Sequence, residues 1–204
     1  MQNPINLSKE YSLFPLTVNV LPGGYLPLQI FEPRYLDMIK QCLNQESGFC
    51  VVLLQPNKHE TTNKENYPHH YLIGTYVEIV DFNQLENGLL GITVQGKYRV
   101  EVLDRRRKDD GLIVGNVIEM GEEEESVSLE PQYKNIWSML KQISKHPEVK
   151  KLNLEINYNC SSSVIYNLAS LLPLTPPERQ GILESKSNIS RLDHINQLVK
   201  KLGG

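Results

Sequence analysis

The segment Leu90-Gly91-Ile92-Thr93-Val94-Gln95-Gly96-Lys97-Tyr98-Arg99-Val100-Glu101-Val102, entered through Asn87-Gly88, decides how the first half of this chain folds. Leu90, Ile92, Val94, Tyr98, Val100 and Val102 keep to one parity, the mark of a half-buried strand long enough to bend around a small barrel. Asn87-Gly88 is a strong hairpin signal, because both residues tolerate the positive φ of a type I′ turn. Gly91 to Lys97 also has the form G-x-x-x-x-G-K of a phosphate loop. The form breaks at Tyr98, which stands where a Ser or Thr would ligate Mg²⁺, and a phosphate loop must lead from a strand into a helix. Here the strand continues, so the match is a coincidence of spacing.

Working outward, the first 120 residues read mainly as strands. Leu13 to Leu21 is apolar with Pro15 inside it, Pro22-Gly23-Gly24 is a turn, and Tyr25 to Phe31 is extended again. One helix interrupts: Pro33 suits a first helical position, Tyr35, Leu36, Ile39 and Leu43 follow at helical spacing, and Asn44 and Gly48 close it. Phe49 to Gln55 is continuously apolar, as in a strand buried on both faces. Pro56 to His70 is polar and aperiodic, a surface loop. Tyr71 to Phe82 is a strand with Tyr71, Ile73, Val77 and Ile79 mostly alternating, and Leu112 to Met120 returns after the turn at Asp109-Asp110-Gly111.

Four consecutive glutamates at 122 to 125 change the composition abruptly, and their repulsion fits an extended linker over 121–127. The period then becomes helical. Tyr133, Ile136, Trp137, Leu140 and Ile143 form one stripe, with Pro147 after it. Lys151 to Tyr158 is ambiguous between strand and helix. Ser161 to Leu172 is a helix, with Ser161-Ser162-Ser163 as its N-cap. Thr175-Pro176-Pro177-Glu178 is a capping box, and Ser187 or Asn188 caps a last helix carrying Ile189, Leu192, Ile195, Leu198 and Leu202. The reading is α+β: a β domain over 1–120, a linker, and a helical bundle over 128–204.

With 204 residues, 40% hydrophobic and 22% charged, the chain needs no metal or disulfide to fold. A net charge of −3 and a pI near 6.0 exert no global pull on nucleic acid or anionic lipid. No apolar run approaches the roughly 20 residues that span a bilayer, and no secretory leader is visible at the start. Cys42, Cys50 and Cys160 form no CxxC pair and fit a reducing compartment, so a cytoplasmic address is expected.

No catalytic constellation emerges. His69 and His70 are adjacent and point to opposite sides of an extended chain, and none of the five histidines has a ligand partner at metal-binding spacing, so they read as surface or loop residues. No catalytic residue, cofactor or metal is expected. Arg105, Arg106, Arg107 and Lys108 form the one dense basic run, followed at once by Asp109-Asp110. A solvated hairpin end and an RNA-contacting tip are the alternatives. Among the early aromatics, Tyr25, Phe31 and Tyr35 are candidates to bind polypeptide in a groove with Phe14, core packing being the other reading.

Leu13-Phe14-Pro15-Leu16, Leu21-Pro22-Gly23-Gly24 and Leu26-Pro27-Leu28-Gln29-Ile30-Phe31-Glu32-Pro33-Arg34-Tyr35 resemble the opening of the Lon protease N-terminal substrate-binding domain. Phe49 to Leu54, Leu72-Ile73-Gly74-Thr75, Gly88-Leu89-Leu90-Gly91-Ile92 and Leu168-Ala169-Ser170-Leu171-Leu172-Pro173-Leu174 with Arg179-Gln180 extend the likeness along nearly the whole chain, in the form of free-standing bacterial proteins of this length. The resemblance implies a PUA-like β pseudo-barrel with one inserted helix, followed by a C-terminal helical bundle. Lon itself carries an ATPase module and a Ser-Lys peptidase beyond this region, and these 204 residues contain neither. The expectation is a non-catalytic module that binds unfolded or partly folded polypeptide, or an adaptor in proteolysis partnered by a protease or chaperone. PUA-like folds also supply the alternative, RNA binding through Arg105 to Lys108, which the acidic balance disfavours. Membranes are not expected partners, and the oligomeric state is open.

Overall fold

The computed structural model describes residues 8–55, 68–121 and 131–203. By their contacts these fall into two units. One holds the strands and the helix at Pro33–Asn44, as far as Met120; the other holds the later helices together with Leu21–Gly24. The turn at Pro22, placed by sequence inside the β half, thus groups with the helices, where an added Cβ on Gly24 would lie 3.2 Å from Ser170 Oγ. The proposed linker over 121–127 lies, beyond Gly121, outside the described residues, as do residues 56–67 of the expected surface loop.

The β unit runs β1 (Lys9–Leu16), β2 (Tyr25–Ile30), α1 (Pro33–Asn44), β3 (Phe49–Leu53), β4 (Ile73–Gln84), β5 (Leu90–Val102), β6 (Arg106–Arg107) and β7 (Ile113–Glu119). The sheet order is β2-β5-β4-β3-β1-β7-β6, and a further β5–β7 pairing closes β5, β4, β3, β1 and β7 into a ring. All pairings are antiparallel except β1 with β3, where Leu13 to Leu16 run alongside Cys50 to Leu53. The pseudo-barrel with one inserted helix is therefore present.

Closure depends on β5 serving two partners. Its first half, Leu90 to Gln95, pairs with β2, and its last residues, Val100 to Val102, pair with β7. Two bulges against β4 provide the bend: Tyr76 opposes Tyr98 while Val77 opposes Gly96, leaving Lys97 extra, and Val80 is extra on β4. A bulge also reverses which face the next residues occupy. The one-parity stripe of β5 therefore serves two cores. Ile92 and Val94 join Phe14, Phe49, Val51, Val77 and Val114 beneath Met38, Ile39 and Cys42 of α1. Val100 and Val102 join Leu13, Cys50, Val52, Tyr76, Ile113 and Val117, drawn from all five ring strands, as the barrel interior. β3 contributes to both and is buried along its whole length, as its continuous apolar run implies.

Three local readings change. The hairpin between β4 and β5 is not type I′, since only Gly88 of its pair has a positive φ, 80°. Leu85 N–H donates to Leu89 O (2.9 Å) around Glu86-Asn87-Gly88, the three-residue loop in which the last residue alone is left-handed. Gly48 does more than end a helix: a Cβ there would stand 1.9 Å from the carbonyl oxygen of Val77, so only glycine lets β3 and β4 meet. His70 is no surface histidine. It is 3% exposed, bridges Leu54, and lies at the start of the strand region.

The helical unit comprises a 3₁₀ turn (Pro131–Tyr133), α2 (Lys134–Ile143), α3 (Pro147–Lys150), α4 (Ser161–Leu171), α5 (Pro176–Glu184) and α6 (Asn188–Gly203). Ile136, Trp137, Leu140, Val164, Leu168, Ile182, Leu192 and Ile195 are buried, the stripes expected from the 3.6-residue period. The ambiguous Lys151 to Tyr158 forms no strand and follows α3 as turns, with Asn153 at φ 48°. The capping box on α5 is complete: Thr175 Oγ1 accepts from Glu178 N–H (3.4 Å) and the Glu178 carboxylate accepts from Thr175 N–H (2.9 Å). The triple serine is not the N-cap of α4; Cys160 is. The serines occupy the first turn, where Ser162 Oγ donates to Asn188 Oδ1 (2.8 Å) and Ser163 Oγ accepts from Asn157 N–H (2.9 Å).

Candidate binding surface

Outside the ring, β2, β5 and the far end of β4 form a three-stranded flap whose register sorts its side chains. Directly opposed residues of antiparallel strands share a face. Leu28, Ile92 and Phe82 form one row, and Leu26, Val94 and Ile79 the next; Ile30, Leu90 and Gln84 complete the face. Ile92 and Val94 are buried in the core under α1, with Leu26, Leu28, Ile79 and Leu90 partly buried against it. Phe82 ends the middle row 60% exposed. The core under α1 therefore opens at one side, through an apolar rim, onto a large exposed aromatic ring. Such a face resembles a binding surface more than an ordinary scattered exposed side chain.

The opposite face of the flap is polar: Tyr25, Gln95 and Glu78 form one row, and Pro27, Thr93 and Asp81 another. Gln95 Nε2 donates to Tyr25 Oη (3.0 Å), Lys97 Nζ donates to Gln95 Oε1 (2.7 Å), and Lys97 pairs with Glu78 (3.2 Å). The three aromatics singled out from sequence are thus not brought to one place. Tyr25 stands on this polar face. Tyr35 lies on the core rim, its ring 4.2 Å from that of Phe14 and under the Arg34 guanidinium at 4.8 Å. Phe31, 65% exposed, follows the last residue of β2. Phe82 and Val80 carry no motif that marks them as binding residues in the sequence. The available signal was the break in alternation at Val80-Asp81-Phe82, which marks the bulge that returns Phe82 to the apolar face.

β2 ends the sheet among the described pairings, and Pro27 sits in the middle of it. Proline has no N–H to offer an incoming strand, so this edge is protected against strand addition. Side-chain contact with the apolar face, not main-chain pairing at the edge, is what the flap offers.

The basic run is divided. Arg106 Nη2 holds both carboxylate oxygens of Glu10 at 3.0 and 2.8 Å. Arg105 Nη1 lies 3.4 Å from His70 Nε2, whose Nδ1 is 2.6 Å from Tyr71 O. That carbonyl requires the proton on Nδ1, leaving Nε2 to accept from the guanidinium. Burial holds the His70 pKa down to about 4, keeping the ring neutral. Arg107 reaches toward Gly111, and Lys108 lines a separate cavity beside β1. The phosphate-loop look-alike, Gly91 to Tyr98, lies wholly within β5 with no helix after it. Among the described residues no group of three or more His, Cys, Asp or Glu could hold a metal ion, and no helix is long and apolar enough to cross a membrane.

The β unit is a closed ring with an open apolar face, and a helical bundle follows it in sequence. The comparisons give it a family: residues 10–201 match the ATP-dependent protease La (LON) substrate-binding domain, and the chain belongs to that family. It is similar to a Lon N-terminal domain protein from Xanthomonas campestris, with a TM-score of 0.73 at 29% identity over 92% of this chain and 96% of that one. The N-terminal domain of a Mycobacterium avium complex Lon protease shares the fold, with a TM-score of 0.66 at 15% identity, over 91% of this chain and 95% of the other. A LON peptidase N-terminal domain and RING finger protein of Schizosaccharomyces pombe is 25% identical over 94% of this chain, and zebrafish cereblon is 30% identical over 46% of it. The chain spans 41% of the fission-yeast protein and 21% of cereblon.

Proposed function

We propose that this chain binds unfolded or partly folded polypeptide without transforming it, as a substrate-recognition module or adaptor serving a protease or chaperone. The observation that carries the reading is the row Leu28–Ile92–Phe82, which runs from partly buried through buried core to an exposed ring on one face. An unfolded chain exposes the apolar side chains that a folded protein hides, and a rim of Leu, Ile and Phe gains from covering them. The match to a substrate-binding domain supports the same class of ligand. The RNA reading needs Arg105 to Lys108 to act together, and the partners of Arg105 and Arg106 draw them apart.

The test is equilibrium binding of a permanently unfolded model polypeptide and of its folded parent, each labelled and titrated with this chain. Preferential, saturable binding of the unfolded form supports the proposal. Equal affinity for the two forms contradicts it, and so does salt-sensitive binding of structured RNA with no binding of polypeptide.

A further inference from the structure

A cavity of about 140 Å³ lies between β1 and α1, away from the flap, with Val114 of β7 and Lys108 completing its wall. Its floor is apolar, formed by buried Met38, Cys42 and Val114. Its sides carry hydroxyls and amides, from Ser12, Ser47, Gln41 and Gln45. The charges decide its preference. Glu10 contributes the one carboxylate of the lining, and both of its oxygens are held by Arg106. Lys108 is the other charged side chain on that wall, whereas the Lys9 ammonium is turned away over the Tyr11 ring (4.9 Å), on the opposite face of β1. The balance favours an anion, set above an apolar floor and beside neutral donors.

We propose that this cavity binds a carboxylate carried on a short apolar stem, the carboxylate meeting Lys108 and the glutamine and serine donors, the stem resting on Met38, Cys42 and Val114. An ammonium and neutral donors give charge-assisted hydrogen bonds to a carboxylate, about twice as strong as neutral ones. The volume is under half of the roughly 300 Å³ at which pockets for drug-sized ligands begin, so it admits a group of a few heavy atoms. Two sources share this chemistry: a free short-chain acid, and the C-terminal carboxyl of a peptide. The proposal is independent of the apolar flap.

Cys42 reports occupancy. Its thiol is nearly buried, donates to Gly48 O at 3.6 Å, and is held above its ordinary pKa by burial, so it alkylates slowly, while Cys160 is exposed and serves as internal control. The whole chain is treated with a small alkylating reagent and each cysteine is followed by mass spectrometry, in the presence of butyrate, butyramide, or a short peptide with a free or amidated C-terminus. Only the empty cavity reacts, so butyrate at about twice its dissociation constant should slow Cys42 about threefold and leave Cys160 unchanged. Protection by the free-ended peptide but not its amide assigns the site to chain ends; protection by butyrate alone assigns it to free acids. Lys108→Gln should abolish protection. In parallel, butyrate should shift the side-chain amide resonances of Gln41 and Gln45 in the unaltered protein, a readout that does not depend on any variant folding. Equal protection by butyramide, protection that survives Lys108→Gln, or no response to any carboxylate in either measurement overturns the proposal.

Discussion

In the β unit the decisive contacts join residues far apart in sequence; in the helical unit most of them are local. Gly48 N–H donates to Tyr76 Oη at 2.7 Å, Thr75 Oγ1 donates to Val20 O at 2.7 Å, and the ring closes where Val100 meets Glu119. The helices begin with contacts three residues long, such as Thr175 with Glu178 and Ser187 with Ser190. Damage to the first kind of contact should spread through a sheet, and damage to the second should stay within one helix turn. The β unit also opens its core onto a surface, whereas exposed apolar residues of the helical unit such as Ile189 and Leu202 stand singly on a helix. On the function proposed above, the difference assigns binding to the β unit, and it can be attacked at several points.

The largest effect is expected at Gly48. Because the obstacle to a Cβ is the backbone oxygen of Val77, which cannot move without parting β3 from β4, Gly48→Ala should cost about 3 kcal/mol or more in chemical denaturation. A near-neutral result would show that the β3–β4 register is looser than described.

Acid should next distinguish the units. His70 takes up a proton near pH 6.5 when unfolded but only at about pH 4 in the fold, so between these values protons favour the unfolded chain. The His70 contribution is complete above pH 6.5 and is lost as pH falls toward 4, on the order of 3 kcal/mol at most. Glu178 behaves differently, its carboxyl held at about 2 by Lys201 and by the Thr175 cap. Its contribution to the helical unit persists down to about pH 4.5 and fades as pH falls toward 2. Hydrogen exchange followed across pH 7 to 3 should therefore show the strands near His70 loosening before α5. His70→Gln should flatten the upper window, and simultaneous loosening of both units would break the comparison.

Binding supplies the third contrast. Phe82→Ser should weaken affinity for unfolded polypeptide about tenfold, the loss of one aromatic anchor, with little change in stability because the ring is mostly exposed. Ile189→Ser, at an exposed apolar site on α6, should leave affinity unchanged. The smallest effect is Thr175→Ala, which should cost the helical unit about 1 kcal/mol and leave polypeptide affinity as it was.

Much of this architecture is legible in residue order, and the reasons differ between the halves. The capping box at Thr175 and the stripe from Tyr133 to Ile143 are local rules, so helix starts and faces follow directly. The stripe on β5 announces a strand, but its division between two cores depends on a bulge at Lys97 created by pairing with a strand elsewhere. In sequence His70 reads as loop because the segment before it is polar; its burial comes from the bridge to Leu54 and from Arg105 beside it. The three early aromatics read as one groove because they are close in sequence, but register and the inserted helix separate them. Phe82 comes forward only because Val80 is skipped.

The central claim is that the β unit holds unfolded chains on its apolar flap and leaves them intact. The most direct test incubates this chain with an unfolded polypeptide labelled at one end, measures fluorescence anisotropy for the wild type and for Phe82→Ser, and then weighs the polypeptide by mass spectrometry. The expected result is saturable binding, weakened by the substitution, with the polypeptide mass unchanged. Binding of equal strength in the two proteins, or a polypeptide recovered in fragments, would contradict it.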